Sequence, residues 1–392
     1  MFKKILFTVF CLLLLVTYHK DEIKVSANEE IEDKIDLGIE SQGCILIDVN
    51  SGKTIYEKNS DEKLYPASMT KMMGMLLVLD AINNHKLSYD KIVTISLEAS
   101  KMGGSQVFLE MGEKLTVDEL FKCVAIASAN DAMYALAEIV SGSEKLFVNE
   151  MNKKAKSLGM NNTNFANTTG FDDPNHYSCP KDMSILAKEL LQNYEEDVIK
   201  YTSLKEGYIR ENTNEPFWLV NTNRLLGDYE GIDGLKTGFT QDAGFCLTST
   251  AKRDNLRLVS VVMKANNKEM RTRDTIKLLD YGFANYKAIK LYSKGEIICT
   301  CSFNHSANKD TPVFIGEDVF VTLKSNENID NIKKEIIITK NSAPIKKNDK
   351  IGVIKIIISE NECKEFNLYS QENVSFLHWY DYFISLLLDM LF

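Results

Sequence analysis

Apolar and polar positions change their period several times along this chain, and the changes mark its parts. The stretch 5–16 is apolar throughout apart from Thr8, behind Lys3 and Lys4 and ahead of Val25-Ser26-Ala27. A basic start, a short apolar run and a small-residue site predict a cleaved export signal over 1–27. The run is too short to span a bilayer comfortably. An acidic lead-in, 28–40, follows. Gly43-Cys44-Ile45-Leu46-Ile47-Asp48 reads as a strand, Asn50-Ser51-Gly52 as a turn and Thr54-Ile55-Tyr56 as the returning strand. Over 68–82 the positions of Met69, Met72, Met73, Leu76, Leu77 and Leu79 predict a helix. Further helices are predicted over 117–127, 132–140, 182–193 and 272–286, with a long polar loop over 161–180. Two strands, 245–250 and 256–263, meet at Asp254-Asn255. Strands at both ends with helices between them predict an α+β domain over 35–287, built on one antiparallel sheet.

The period changes after about Ala288. Segments such as Ile336-Ile337-Ile338 and Val353-Ile354-Lys355-Ile356-Ile357-Ile358 predict a small all-β domain over 288–370. From Ser375 to Phe392 almost every residue is apolar or aromatic. The exceptions Ser375, His378, Asp381, Ser385 and Asp389 recur at three- or four-residue intervals, so a helix gathers them into one narrow stripe. Phe376, Trp379, Tyr380, Phe383, Leu387 and Leu391 surround it. Such an amphipathic helix, expected over 374–392, suits the plane of a membrane interface. A full span would bury two carboxylates.

Composition narrows the class. The 392 residues are 44% hydrophobic and 26% charged, a globular balance that suits two domains. The formal charge is −9 and the first 27 residues are slightly basic, so the remainder is about −11. No long basic run exists, which excludes nucleic acid as a partner. The eight cysteines are scattered and imply no dense disulfide framework. Cys299 and Cys301 would share a strand face, but nothing nearby completes a zinc site, and no metal or cofactor is expected.

The candidate chemistry starts from Ser-x-x-Lys. On a helix this spacing puts a hydroxyl and an amine on one face, and a lysine of lowered pKa can take the serine proton. The pattern occurs at Ser60, Ser68, Ser88, Ser178, Ser249 and Ser306. Only Ser68 to Lys71 opens a predicted helix with an apolar run behind it. Taken alone, Ser68 also fits a plain N-cap. Lys236-Thr237-Gly238 is the only Lys-Thr-Gly in the chain. Its glycine leaves room for a substrate backbone beside a strand, and its lysine and threonine offer a cation and a donor to a carboxylate. Ser128-Ala129-Asn130, between two helices, adds a hydroxyl that can relay a proton and an amide that can hold a peptide carbonyl.

In this order the three motifs match the set found in penicillin-binding proteins and class A β-lactamases, with Ser-Ala-Asn in the middle place. The chain resembles the low-molecular-mass D-alanyl-D-alanine carboxypeptidases of the penicillin-binding type, serine peptidases of family S11. The resemblance also rests on Tyr65-Pro66-Ala67 before Ser68, Gly103-Gly104-Ser105-Gln106, the stretch Asp172-Asp173-Pro174-Asn175-His176-Tyr177-Ser178 and Asp233-Gly234-Leu235 before Lys236. It implies a β-lactamase/transpeptidase-like domain with helices on both sides of the sheet. It implies Ser68 as nucleophile, Lys71 as base and Ser128 as proton relay. Asn130, Lys236, Thr237, Gly238, Phe239 and Arg271 would form the substrate site, with the backbone N–H groups of Ser68 and Phe239 as oxyanion donors. The implied partners are peptidoglycan stem peptides and β-lactam antibiotics. The implied location is the outer face of the cytoplasmic membrane. Two alternatives remain open at this point, a serine β-lactamase and a catalytically silent peptidoglycan-binding protein. The first is weakened because no glutamate lies between Met151 and Lys188, where such a lactamase would carry its deacylating residue.

Overall fold

The structure, a computed structural model, describes residues 35–211, 213–306, 310–359, 362–377, 379–380, 383–384 and 387. The expected export signal, 1–27, lies outside the described residues. From Ile39 onward the chain forms one compact unit.

Strand β1, Gly43–Asp48, is buried at all six positions. An unbroken buried strand means that both faces of the sheet are covered. The hairpin partner β2 is Thr54–Lys58. Three more strands return late in the sequence: β3, Ile232–Thr240; β4, Gly244–Arg253; and β5, Leu256–Ala265. The order is β2-β1-β5-β4-β3, antiparallel throughout. The alternation of side chains divides β1 and β5 between two cores. Ile45, Ile47, Val259, Val261 and Met263 join the large helical core, whereas Leu46 and Leu258 point to the other face.

The helical face holds α1, Lys71–Asn83; α2, Val117–Ala127; α3, Asn130–Ser141; α4, Glu144–Ser157; and α5, Pro180–Thr202. Every residue of α1 from Lys71 to Leu79 is buried. A helix apolar all round belongs in the middle of a core, and Lys71 enters that core with it. Thr116 and Glu119 form a capping box that starts α2. The opposite face is covered by α6, Lys268–Asn285. It lies close because Gly282 faces the sheet: a Cβ there would come within 2.5 Å of a Leu258 methyl and 3.0 Å of one of Leu46.

Beyond α6 the described chain is mostly β as far as Ser370. Strand β6, Tyr286–Tyr292, pairs with β9, Val319–Lys324. A five-stranded sheet is ordered β7, Ile297–Cys301; β8, Thr311–Ile315; β12, Glu362–Ser370; β11, Lys350–Ser359; and β10, Lys333–Ile338. Val313, Ile315, Val321, Ile354 and Leu368 form its own core. The β1–β2 turn touches this part: Lys53 Nζ is 2.8 Å from Glu362, Thr322 donates to Asp48, and Lys364 donates to the Ser51 carbonyl. Cys299 and Cys301 share one face of β7, with sulfurs 3.8 Å apart.

Several expectations shift. Ser68 lies on a short 3₁₀ turn, Ala67–Thr70, and the α-helix begins only at Lys71. The helix expected over 272–286 starts at Lys268 and so includes Arg271. The one expected over 182–193 runs on to Thr202, with a kink at Tyr194. Helix α4 and the hairpin of Glu206–Ile209 with Phe217–Val220 carried no expectation. The tail helix starts later than 374. Val374 is buried in the β core and bridges Ile345, and Phe376 bridges Ser306, so this stretch is extended. Trp379, Tyr380, Phe383, Ile384 and Leu387 are helical and exposed. His378, Asp381, Ser385, Asp389 and Leu391 lie outside the described residues. No helix among the described residues is long and apolar enough to cross a membrane.

Gly282→Val would force a branched side chain between α6 and the sheet. Overpacking of this kind costs about 1–3 kcal/mol, so thermal unfolding should show a Tm lower by several degrees. An unchanged Tm would mean that α6 can lift off the sheet freely.

Candidate active site

The site forms where the 3₁₀ turn meets the edge strand β3. In a 3₁₀ turn residues i and i+3 eclipse, and this sets Lys71 beneath Ser68: Nζ lies 2.9 Å from the hydroxyl Oγ and 2.8 Å from the Thr169 carbonyl oxygen. Lys71 is fully buried. Ala67 holds the turn at φ 47°, unusual for alanine. The loop carrying Thr169 presses on this backbone. A Cβ at Gly170, φ +87°, would sit 1.9 Å from the Ala67 oxygen, so only glycine fits there.

Strand β3 closes the other side. At Gly238 a Cβ would lie 2.7 Å from the Pro66 oxygen and 3.3 Å from the Ser68 nitrogen, which puts the Lys-Thr-Gly backbone against the serine. Lys236 is 1% exposed and donates to the Thr237 carbonyl at 3.2 Å. The Thr237 hydroxyl donates to Thr222 Oγ1 at 2.7 Å. Phe239 is 51% exposed, its ring 4.4 Å from that of Phe245. Arg271, in the first turn of α6, is buried, and its Nε finds no protein partner among the described residues.

The third wall is the α2–α3 junction. Ser128 ends α2 in the left-handed region, φ 62°. Its Oγ is buried with no partner among the described residues, as is Asn130 Oδ1. Two orphaned polar atoms in one wall mark a place where another molecule completes the hydrogen bonding. Asn130 Nδ2 donates to the Gly103 carbonyl at 2.7 Å.

The electrostatics are uniform in sign. Burial, and then the charge of Lys236, holds Lys71 well below the ordinary lysine pKa, with Asp131 opposing them. Burial and then Arg271 bring Lys236 down to about 7. Neither lysine makes an ion pair among the described residues. The site therefore offers an amine of lowered pKa beside a hydroxyl, with the guanidinium of Arg271 at an end suited to an anion. No cluster of three or more His, Cys, Asp or Glu side chains able to hold a metal gathers among the described residues.

The sequence profile of the D-alanyl-D-alanine carboxypeptidases, peptidase family S11, matches residues 27–267. The chain belongs to this family of serine peptidases. A second profile, the C-terminal domain of penicillin-binding protein 5, matches residues 286–375. A D-alanyl-D-alanine carboxypeptidase of Bacillus subtilis is 42% identical over 353 residues, 90% of each chain. The crystal structure of penicillin-binding protein 5 from Haemophilus influenzae superimposes with a TM-score of 0.74. It is 32% identical and covers 86% of this chain and 98% of its own. Penicillin-binding protein D2 of Listeria monocytogenes, solved in an ampicillin-bound form, matches 64% of this chain and all of its own at 33% identity, TM-score 0.57.

In this D-alanyl-D-alanine carboxypeptidase family member the structure gathers Ser68, Lys71, Lys236, Thr237 and Gly238 by direct contact or through one another. Ser128 and Asn130 line the junction, and Arg271 lies close enough for its charge to act on Lys236. Among the competing Ser-x-x-Lys pairs, Ser249 and Lys252 lie on strand β4, where residues three apart face opposite ways. Supporting residues escaped the sequence reading. The Asp131 carboxylate accepts from the Val107 and Leu109 amides at 3.0 and 3.1 Å and so ties down the loop that carries Gly103 and Gly104. His176 is 1% exposed. Its Nδ1 accepts from the Ala166 amide at 3.0 Å, which leaves Nε2–H to donate to Thr70 Oγ1 at 2.7 Å. That bond ties the Thr169 loop to the serine turn. The stretch 172–178 supported the resemblance, but nothing in its spacing shows which atom His176 meets.

Burial pushes the His176 pKa from the usual 6.5 to about 4. The unfolded chain thus takes up a proton between these values and the folded chain does not. The neutral imidazole contributes full stability above about 6.5, and the contribution is lost as pH falls towards 4. Thermal melts should show Tm falling across this window, with a shallower fall for His176→Gln. Parallel curves would remove His176 from the loop's stability.

Proposed function

We propose that the protein removes the C-terminal D-alanine from peptidoglycan stem peptides through an acyl-enzyme on Ser68. The observation that carries this is the Lys71 amine, buried without an ion-pair partner among the described residues, 2.9 Å from the Ser68 hydroxyl. An amine kept neutral by its surroundings is a competent base at neutral pH.

Lys71 takes the Ser68 proton as Oγ attacks the carbonyl of the penultimate D-alanine. The negative charge that develops on the carbonyl oxygen meets the backbone N–H groups of Ser68 and Phe239. Gly238 lets these two segments approach, and a preorganised donor of this type contributes about 3 kcal/mol. The C–N bond then breaks, with Ser128 passing a proton to the leaving amine. Asn130 orients the substrate amide. Lys236, Thr237 and Arg271 hold the terminal carboxylate; Arg271 brings a guanidinium to this end, and the bound anion favours the charged form of Lys236. Water hydrolyses the ester and frees Ser68. A β-lactam enters by the same acylation. Neither alternative reading has an observation in its favour. The loop between Met151 and Lys188 has no glutamate for lactam deacylation, and the buried lysine–serine pair has no use in a silent binder.

The protein acts outside the cytoplasm, exported by the segment 1–27. The aromatic tail holds it on the outer face of the cytoplasmic membrane as an in-plane helix. Trp379, Tyr380, Phe383, Ile384 and Leu387 are all exposed, an arrangement that water disfavours and a headgroup boundary accepts.

Mass spectrometry after penicillin treatment should place the adduct on the Ser68 peptide. Lys71→Ala should slow acylation by about 100-fold or more. An adduct on Ser60 or Ser128, or near-normal acylation of the lysine variant, would reassign the machinery. For the tail, a chain ending at Leu377 keeps Val374 in its core. It should leave the membrane fraction yet cleave short peptides at the full rate. The full-length protein should stay bound through a high-salt wash and yield to detergent. A truncated protein that still pellets with membranes would place the anchor elsewhere.

A further inference from the structure

Arg271 faces more than Lys236. It also lines a cavity of about 540 Å³ at the start of α6, together with Arg224, Lys268, Lys277 and Arg273. Glu269 is the single acid on the described wall of this cavity. In a chain of formal charge −9 such a gathering of cations is an exception. Arg273 is already engaged by Glu40 at 2.5 Å. Arg224 and Lys268 are exposed and make no ion pair among the described residues. The buried Arg271, with its Nε unpartnered, forms the inner wall.

We propose that this cavity is a subsite for a second carboxylate, carried by the residue that leaves. The inference rests on the reading of Arg271 as a holder of the terminal carboxylate. That carboxylate belongs to the leaving residue, so a cavity sharing Arg271 lies on the leaving side of the scissile bond. The side chain of the leaving residue enters it. A methyl group leaves such a volume almost empty, whereas an acidic side chain places its charge among Arg224, Lys268 and Arg271. The substrate class therefore extends from D-alanyl-D-alanine to D-alanyl peptides whose last residue is a D-amino diacid. The bond changes are unaltered: Ser68 Oγ joins the D-alanyl carbonyl, the C–N bond breaks, and the diacid departs as the protonated amine.

The test uses two peptides with one acyl half, diacetyl-L-Lys-D-Ala-D-Ala and diacetyl-L-Lys-D-Ala-D-Glu, and follows release of the final amino acid by chromatography. The full-length protein should cleave both. In Arg224→Gln/Lys268→Gln, kcat/KM for the D-Glu peptide should fall about tenfold, the size of a lost hydrogen bond to a charged group. For the D-Ala peptide it should stay within about twofold, as for an ordinary surface change. Arg224→Lys/Lys268→Arg should keep most of the D-Glu activity, and added salt should weaken it. If the intact protein cleaves the D-Ala peptide but not the D-Glu peptide, or if both rates fall together in the glutamine variant, the subsite is overturned and the carboxypeptidase reading stands. If neither peptide is cleaved and no penicillin adduct forms, both readings fall.

Discussion

A lysine amine buried with no carboxylate beside it holds its proton weakly, and this structure buries two. Lys71 and Lys236 both lie in the interior within reach of each other's charge, and Arg271 adds a third cation nearby. Burial of an isolated charge costs so much that the group gives up its proton instead. The surrounding fold has to keep water and acids out for this to happen. The Thr169 carbonyl occupies Lys71, and Asp131 is turned to the amides of Val107 and Leu109. Gly170 and Gly238 let two backbones close over the serine turn where any side chain would hold them apart. The same crowding of buried cations that lowers the Lys71 pKa sets Arg271 at the other end, and on this arrangement the proposed base and anion holder both rest.

The sheet supplies the rigidity this needs. Ser68 hangs from the start of a helix buried on every side, and Gly238 belongs to an edge strand whose register with β4 is set by a ten-residue hairpin partner. Sites on such elements are held more closely than sites on loops. The loops that do contribute are tied down in turn, one by His176 and one by Asp131.

Much of this was legible in the residues. The apolar spacing gave the main helices and the central strands, and three short motifs in a fixed order pointed to the serine, the lysines and the asparagine. What was missed shares a physical cause. His176, Asp131, Thr169 and Thr222 act through contacts between segments far apart in sequence, and no local period encodes such a contact. Helix α4 is mostly polar, with only Phe147, Met151 and Ala155 buried, too few to stand out as a stripe. Val374 and Phe376 fit the expected helical stripe as well as the short bridges they make, so the sequence does not show that this stretch is extended. Trp379, Tyr380, Phe383, Ile384 and Leu387 are helical, while all of the polar stripe but Ser375 falls among residues outside those described.

The strand order has a consequence for a chain that is made from one end. Strands β1 and β2 come first, but the neighbour of β1 inside the sheet is β5, the last strand of the five. Until that strand is in place, the β3–β4 hairpin has no link to β1, and nothing in the sheet sets the backbone of Gly238 against Ser68. A nascent chain that has already completed the Ser-x-x-Lys helix has its nucleophile but no facing wall. A chain that ends before Leu256 therefore lacks the strand that joins the β3–β4 hairpin to β1, and with it the wall that faces Ser68.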